Sequence, residues 1–255
     1  MKEFFILFLL VLSHHGSICQ DTSPQKAGDF TGFKSKFSPF FSSLKNHQFS
    51  ETKTLKRLFH KAHRKILKNY LAYSTVEDVF NNGNYDCLSG TYFFSLALDE
   101  LKIKYRVIET NYHIFIVAQS DRGEVLLEST DRFGGFVRTQ KIIHKKLSSY
   151  RERNSGSPQL YLTGISLFHE LLPNQLPGLL YFNKAVDAFH KNDLTACCLY
   201  LESAWKIYDN QRIEEFTPIL VRSILHSNLD EKQKINLTGI LKAHQQQTIH
   251  PLASR

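Results

Sequence analysis

At 255 residues, 42% apolar and with a formal charge of +8, the chain can bury one substantial core and a second, smaller one, which excludes disorder throughout. The positive charge is densest in residues 53–68 and at His144-Lys145-Lys146. No interleaved aromatic or glycine pattern accompanies it, so no nucleic-acid partner is expected, and attraction to an anionic surface such as membrane or polysaccharide is the reading left open.

The chain opens with Lys2, an apolar run from Phe4 to Leu12, and a small and polar stretch ending Gly16-Ser17-Ile18-Cys19-Gln20. Such a run is too short to cross a hydrocarbon core, which needs about 20 residues of helix, and the three-part layout predicts a secretory signal over 1–19. Cleavage between Cys19 and Gln20 places Ser17 and Cys19 at the small-residue positions. A lipid-modified Cys19 is the alternative, against which Ile18 counts. Either way the protein is expected to be exported, to a periplasmic or extracellular place or a lipid anchor. Cys87, Cys197 and Cys198 remain after cleavage, which is no disulfide framework.

Residues 20–50 show no clear periodicity and read as an extended or partly ordered lead-in. From Thr54, the apolar residues Leu55, Leu58, Phe59, Ala62, Ile66 and Tyr70 fall three or four apart, predicting an amphipathic helix. Residues 75–80 begin another, stopped by the turn cluster Asn81-Asn82-Gly83-Asn84. Cys87 follows, and Leu88 to Leu101 form a largely apolar helix whose start carries the thiol. Tyr105–Glu109, Tyr112–Ala118 and Glu124–Glu128 are rich in Val, Ile, Tyr and Phe and read as strands, with Ser120-Asp121-Arg122-Gly123 as a hairpin turn. Helix followed by short antiparallel sheet is an α+β arrangement, and residues 51–150 are taken as one domain.

Residues 137–178 carry the weakest pattern. Within them 151–178 is a connector, with a loop at Ser155-Gly156-Ser157-Pro158 and another framed by Pro173 and Pro177. The region 179–250 is expected to be helical throughout. Tyr181–Lys191, an Asn192-Asp193 turn and Leu194–Tyr208 form a helical hairpin, and Ile213–Ala243 continue the stack. Ala185, Cys197, Leu201 and Ala204 fall at the small or apolar positions of a tetratricopeptide-like repeat, although Ala188 stands where an aromatic is usual. Cys197, Leu201 and Ala204 are expected to face inward.

The strongest chemical signal is Asn84-Tyr85-Asp86-Cys87-Leu88-Ser89-Gly90-Thr91, with His113 following 26 residues after the cysteine and Glu128-Ser129-Thr130-Asp131 beginning 15 residues later. This resembles the core of the transglutaminase-like superfamily, which shares its architecture with papain-like thiol proteases. The resemblance covers about residues 51–140. It implies a helix bearing the nucleophile Cys87, packed on a short antiparallel sheet that carries the base His113 and the acid Glu128, followed by the helical, repeat-like segment. Glu128 stands where the family commonly has Asp, and the interval from Cys87 to His113 leaves little room for substrate-shaping insertions.

The physical reading stands beside that resemblance. A thiol attacks as thiolate, which a helix N-terminus and a neighbouring imidazolium both favour. A carboxylate on the far ring nitrogen orients the base, and backbone amides at the helix start can stabilise an oxyanion. Each residue also has a plainer role: cysteine as a small buried hydrophobe, histidine as a satisfied core group, an acid at an exposed strand end. Cys197 and Cys198 are taken as packing residues. His169, His190 and His226 lack paired ligand spacing, so neither metal nor cofactor is expected.

The third member is chosen by register. A two-residue Asp121-Arg122 turn makes paired positions sum to 243, which puts Glu128 diagonal to His113 on the same face and gives Asp131 the opposite parity. Two functions follow. One is a thiol-dependent amide hydrolase or acyl transferase acting on peptide, protein or cell-wall amides. The other is a non-catalytic binding or assembly module, with the fold as scaffold and the helical segment docking a protein partner.

Overall fold

A computed structural model describes residues 31–45, 49–110, 113–155 and 168–249. The expected signal over 1–19, Tyr112 and the loop residues 156–158 lie outside the described residues. Among those described, no helix is long and apolar enough to cross a membrane.

The lead-in is not extended throughout, because Thr31–Ser42 form helix α1. Phe37 and Phe41 lie one turn apart on it and are buried together with Leu44, and the Phe37 ring meets that of Phe93 edge-on at 4.9 Å between centroids. These aromatics find their partners far along the chain, so local sequence gave no hint of the helix.

Helix α2 (Glu51–Lys65) starts at Ser50, whose side chain accepts from the Lys53 amide, and buries Leu55, Leu58, Phe59 and Ala62. It ends before Tyr70, which the apolar spacing had included. The Gly83 carbonyl takes the amides of Lys68 and Asn69. That draws the chain into strand β1 (Asn69–Tyr70), paired in parallel with β2 (Asn84–Tyr85), and leaves Tyr70 57% exposed. Between them the short helix α3 (Val76–Asn81) is held by a reciprocal Thr75–Asp78 capping box and stops before Gly83, whose φ is +75°.

Helix α4 (Cys87–Leu101) is capped at Asp86 through Ser89 and ends on Lys102 in the left-handed conformation. It packs on an antiparallel five-stranded sheet made of β3 (Tyr105–Thr110), β4 (Ile114–Ser120), β5 (Gly123–Leu127), β6 (Phe136–Val137) and β7 (Phe168–Leu171), in the order β6-β5-β4-β3-β7. Ser120 faces Gly123 and Ile116 faces Leu127, which is the register of a two-residue turn.

Strand alternation divides the side chains between two layers. Val107, Ile114, Ile116, Ala118, Val125 and Leu127 join the main core with α2 and α4, while Ile108, Phe115, Val117, Leu126 and Val137 pack with Ile143 of helix α5 (Gln140–Ser155). Neither α5 nor β7 stood out in the sequence. Strand β7 falls in the expected connector, and its four residues pair with β3 as an edge strand.

Beyond a short turn at Pro173–Gln175 come four helices, α6 (Leu176–His190), α7 (Leu194–Ile207), α8 (Gln211–Leu225) and α9 (Glu231–Ile249). The two prolines begin this region rather than frame a loop, with Pro177 in the first turn of α6. Cys197, Leu201 and Ala204 are fully buried in a second core, with Tyr181, Ala185, Ile213, Leu220 and Leu241. Helix α6 belongs to both cores, since Leu176, Leu179 and Leu180 pack in the first.

Candidate active site

Cys87 is the first residue of α4 because the local sequence makes an unambiguous helix start. The Asp86 carboxylate accepts from the Ser89 amide at 2.7 Å, and the Ser89 hydroxyl accepts from the Asp86 amide at 2.9 Å. Behind the cap, Gly90 permits a close approach to the loop after β5. A Cβ on Gly90 would lie 2.8 Å from Ser129 Cβ. Ser129, fully buried, in turn donates to the Cys87 carbonyl at 3.3 Å, and His63 Nε2 lies 2.8 Å from the Ser129 carbonyl.

His113 stands just before β4, tied to the end of β3 by the Thr110 amide and hydroxyl, which donate to the His113 carbonyl at 2.8 and 3.0 Å. Its Nε2 lies 3.0 Å from Glu128 Oε1, with both side chains largely buried. The approach is close but does not have the geometry of an aligned hydrogen bond. Glu128 also accepts from Tyr150 at 3.1 Å and from Lys146 at 3.1 Å. Burial pushes the Glu128 carboxyl up, but the His113 contact and the charges of His113 and Lys146 outweigh it and hold the group at about 2. Asp131 does not face the histidine. Its Oδ1 accepts from the amides of Phe133 and Gly134 and shapes the loop.

Cys87 and His113 line one cavity of about 150 Å³, with Leu88, Glu109, Ile114, Leu179, Phe182, Asn183 and Arg212. They reach it from different sides. The Cys87 helix packs on the layer of Ile114 and Ile116, whereas the His113 ring contacts Phe115 and Tyr150 in the α5 layer. They share only the cavity at the end of the sheet, and no described hydrogen bond joins sulfur to ring. Burial and the neighbouring Asp86 charge push the thiol up to about 12, opposed by Arg212 and by the amides of Leu88 and Cys87. The resting thiol is therefore protonated at neutral pH.

No protein-family model, curated protein or solved structure matches the chain.

Function must then be read from the side chains. The residues singled out in the sequence, Cys87, His113 and Glu128, fall at one end of the sheet, while Cys197 and Cys198 lie away in the second core. Among the described residues no cluster of His, Cys, Asp and Glu could hold a metal ion.

Several site residues were not legible in advance. Lys146 and Tyr150 reach Glu128 from α5, and their four-residue spacing on one helix face was the only signal available. The Asp86 cap was not read in advance, although its spacing to Ser89 is that of a reciprocal cap. Glu109, Asn183 and Arg212 come together only through the tertiary fold.

Proposed function

We propose that this chain is an exported, transglutaminase-like thiol enzyme that cleaves or transfers an acyl group from a peptide, protein or cell-wall amide. The observation that carries the reading is the cavity lined by both the helix-opening Cys87 and His113, whose ring lies 3.0 Å from Glu128 behind it.

With Nε2 beside Glu128, at 3.0 Å from Oε1, Nδ1 is the ring atom left to serve as base. It takes the Cys87 proton as the sulfur attacks the carbonyl carbon, and Glu128 steadies the resulting imidazolium. The amides at the start of α4 favour negative charge near the sulfur and suit a developing oxyanion. Collapse of the tetrahedral species breaks the C–N bond, and the departing amine takes the proton from His113. Water, or an acceptor amine, then attacks the thioester and regenerates the thiol. A protonated thiol matches this order of events, because the base acts during attack rather than before it.

The second reading, a non-catalytic scaffold, is favoured by the missing sulfur–ring hydrogen bond and by the height of the thiol pKa. Incubation with p-nitrophenyl acetate discriminates the two. The enzyme reading expects a burst of p-nitrophenol and an acetyl group on the peptide containing Cys87, both abolished by Cys87→Ala and strongly reduced by His113→Ala. A folded wild type that gives neither burst nor adduct supports the scaffold.

A further inference from the structure

We propose that the helical region is a working part of this site, with Arg212 of α8 acting as a positioning residue for His113. The proposal rests on the thiol-enzyme reading and adds to it where the base gets its placement.

Arg212 stands in the first turn of α8, where the helix dipole disfavours a cation. A residue set against local preference asks for a compensating contact, and two are present. Its Nε donates to Glu109 Oε1 at 2.7 Å, and its Nη2 donates to the Thr110 carbonyl at 2.7 Å. Both partners are buried, Glu109 being 3% and Thr110 2% exposed. A planar fork that meets a carboxylate and a carbonyl at once fixes the orientation of the β3 end in a way that a single point charge does not.

From Thr110 the contact passes directly to the base. Thr110 brackets His113 with its amide and hydroxyl on the His113 carbonyl, while the His113 amide donates back to the Thr110 hydroxyl at 3.0 Å. The backbone of His113 is thus held by one residue, and that residue's carbonyl is held by Arg212. His169 adds to the anchorage, its Nε2 lying 3.2 Å from Glu109 Oε2 and 2.9 Å from the Tyr208 hydroxyl. Burial pushes the Glu109 carboxyl up, but His169 and Arg212 outweigh it and keep it below its ordinary value, so Glu109 meets Arg212 as a carboxylate.

The same helical region also reaches the other half of the site. Asn183 of α6 donates to Asp86 Oδ2 at 3.1 Å, the cap of the Cys87 helix. Both catalytic elements are therefore tied to helices outside the resembling core, and Leu179, Phe182, Asn183 and Arg212 wall the cavity between them.

The test is a double-mutant cycle on the full exported chain, read as the rate of iodoacetamide labelling of Cys87 at neutral pH, with circular dichroism as the check on folding. Arg212→Lys keeps the charge near the sulfur but loses the fork. It is expected to slow labelling about tenfold when His113 is present, since small misplacements of a base are costly, and to change it less than about twofold in the His113→Ala background. Thr110→Val, which leaves the Arg212 carbonyl contact in place and removes the hydroxyl from His113, is expected to behave the same way. Should Arg212→Lys not fold, Glu109→Gln, which weakens the fork's carboxylate contact, stands in and is read in the same two backgrounds. Unchanged labelling in folded variants, or equal slowing in both backgrounds, overturns the proposal while leaving the enzyme reading intact. If His113→Ala alone leaves the wild-type rate unchanged, the enzyme reading itself fails and the proposal falls with it.

Discussion

Replacing Glu128 with Gln keeps the shape of the side chain and removes its charge, and the structure sets both the sign and the size of the effect. The carboxyl is held at about 2 against an ordinary value of 4.5. At roughly 1.4 kcal/mol per pH unit, the contacts with His113 and Lys146 supply about 3 kcal/mol of stability to the folded state, an upper figure because the His113 share falls away when the ring is neutral and ready to act as base. Because the folded value is depressed, that stability is fully present above about 4.5 and is lost as pH falls from there through about 2. Urea denaturation of wild type and Glu128→Gln at a series of pH values isolates the contribution, since the other carboxylates are common to both chains. The difference in unfolding free energy is expected to be largest at neutral pH and to shrink across that acid window. A difference that is constant with pH would show that the folded state does not lower the Glu128 carboxyl, contrary to this expectation.

Three further outcomes follow from named contacts. Asp131→Ala is expected to cost about 1 kcal/mol by thermal melting, through the two loop amides it leaves without their acceptor, and to leave Cys87 labelling unchanged, because Asp131 does not face His113. Gly90→Ala is expected to destabilise the fold by about 1–3 kcal/mol on the same assay, since the added methyl collides with buried Ser129 between α4 and the Glu128 loop. Asp86→Asn keeps a capping side chain but removes a charge beside the thiol, so the pH at which Cys87 becomes labelled is expected to fall; a rise would mean that the cap outweighs the charge.

How much of this could be read from the residues depends on the range of the interactions involved. The α4 start was legible because the turn residues Asn81 to Asn84 end just before a long apolar run, and the hairpin register followed from the two residues Asp121 and Arg122. Helix α1 was not, since Phe37 and Phe41 are held by Phe93, more than fifty positions on. Tyr70 continued the spacing of α2 faithfully, yet the Gly83 carbonyl captured the chain first. Strand β7 is a short edge strand paired with β3 alone among the described residues, so alternation had too few residues in which to appear. Arg212 lies 103 positions from the Glu109 it pairs with, a distance over which charge pattern carries no information. The separation of Cys87 and His113 into two layers was likewise invisible, because it depends on how α4 and α5 cover opposite faces of the sheet.

Transfer of the Cys87 proton to His113 is the step on which the proposed reaction depends. It is tested most directly by the pH dependence of iodoacetamide labelling of Cys87, measured on wild type and His113→Ala. Wild type is expected to be labelled at neutral pH at least about tenfold faster than His113→Ala, and the variant to gain reactivity only as pH rises towards the thiol's own value of about 12. Superimposable profiles for the two proteins would contradict it.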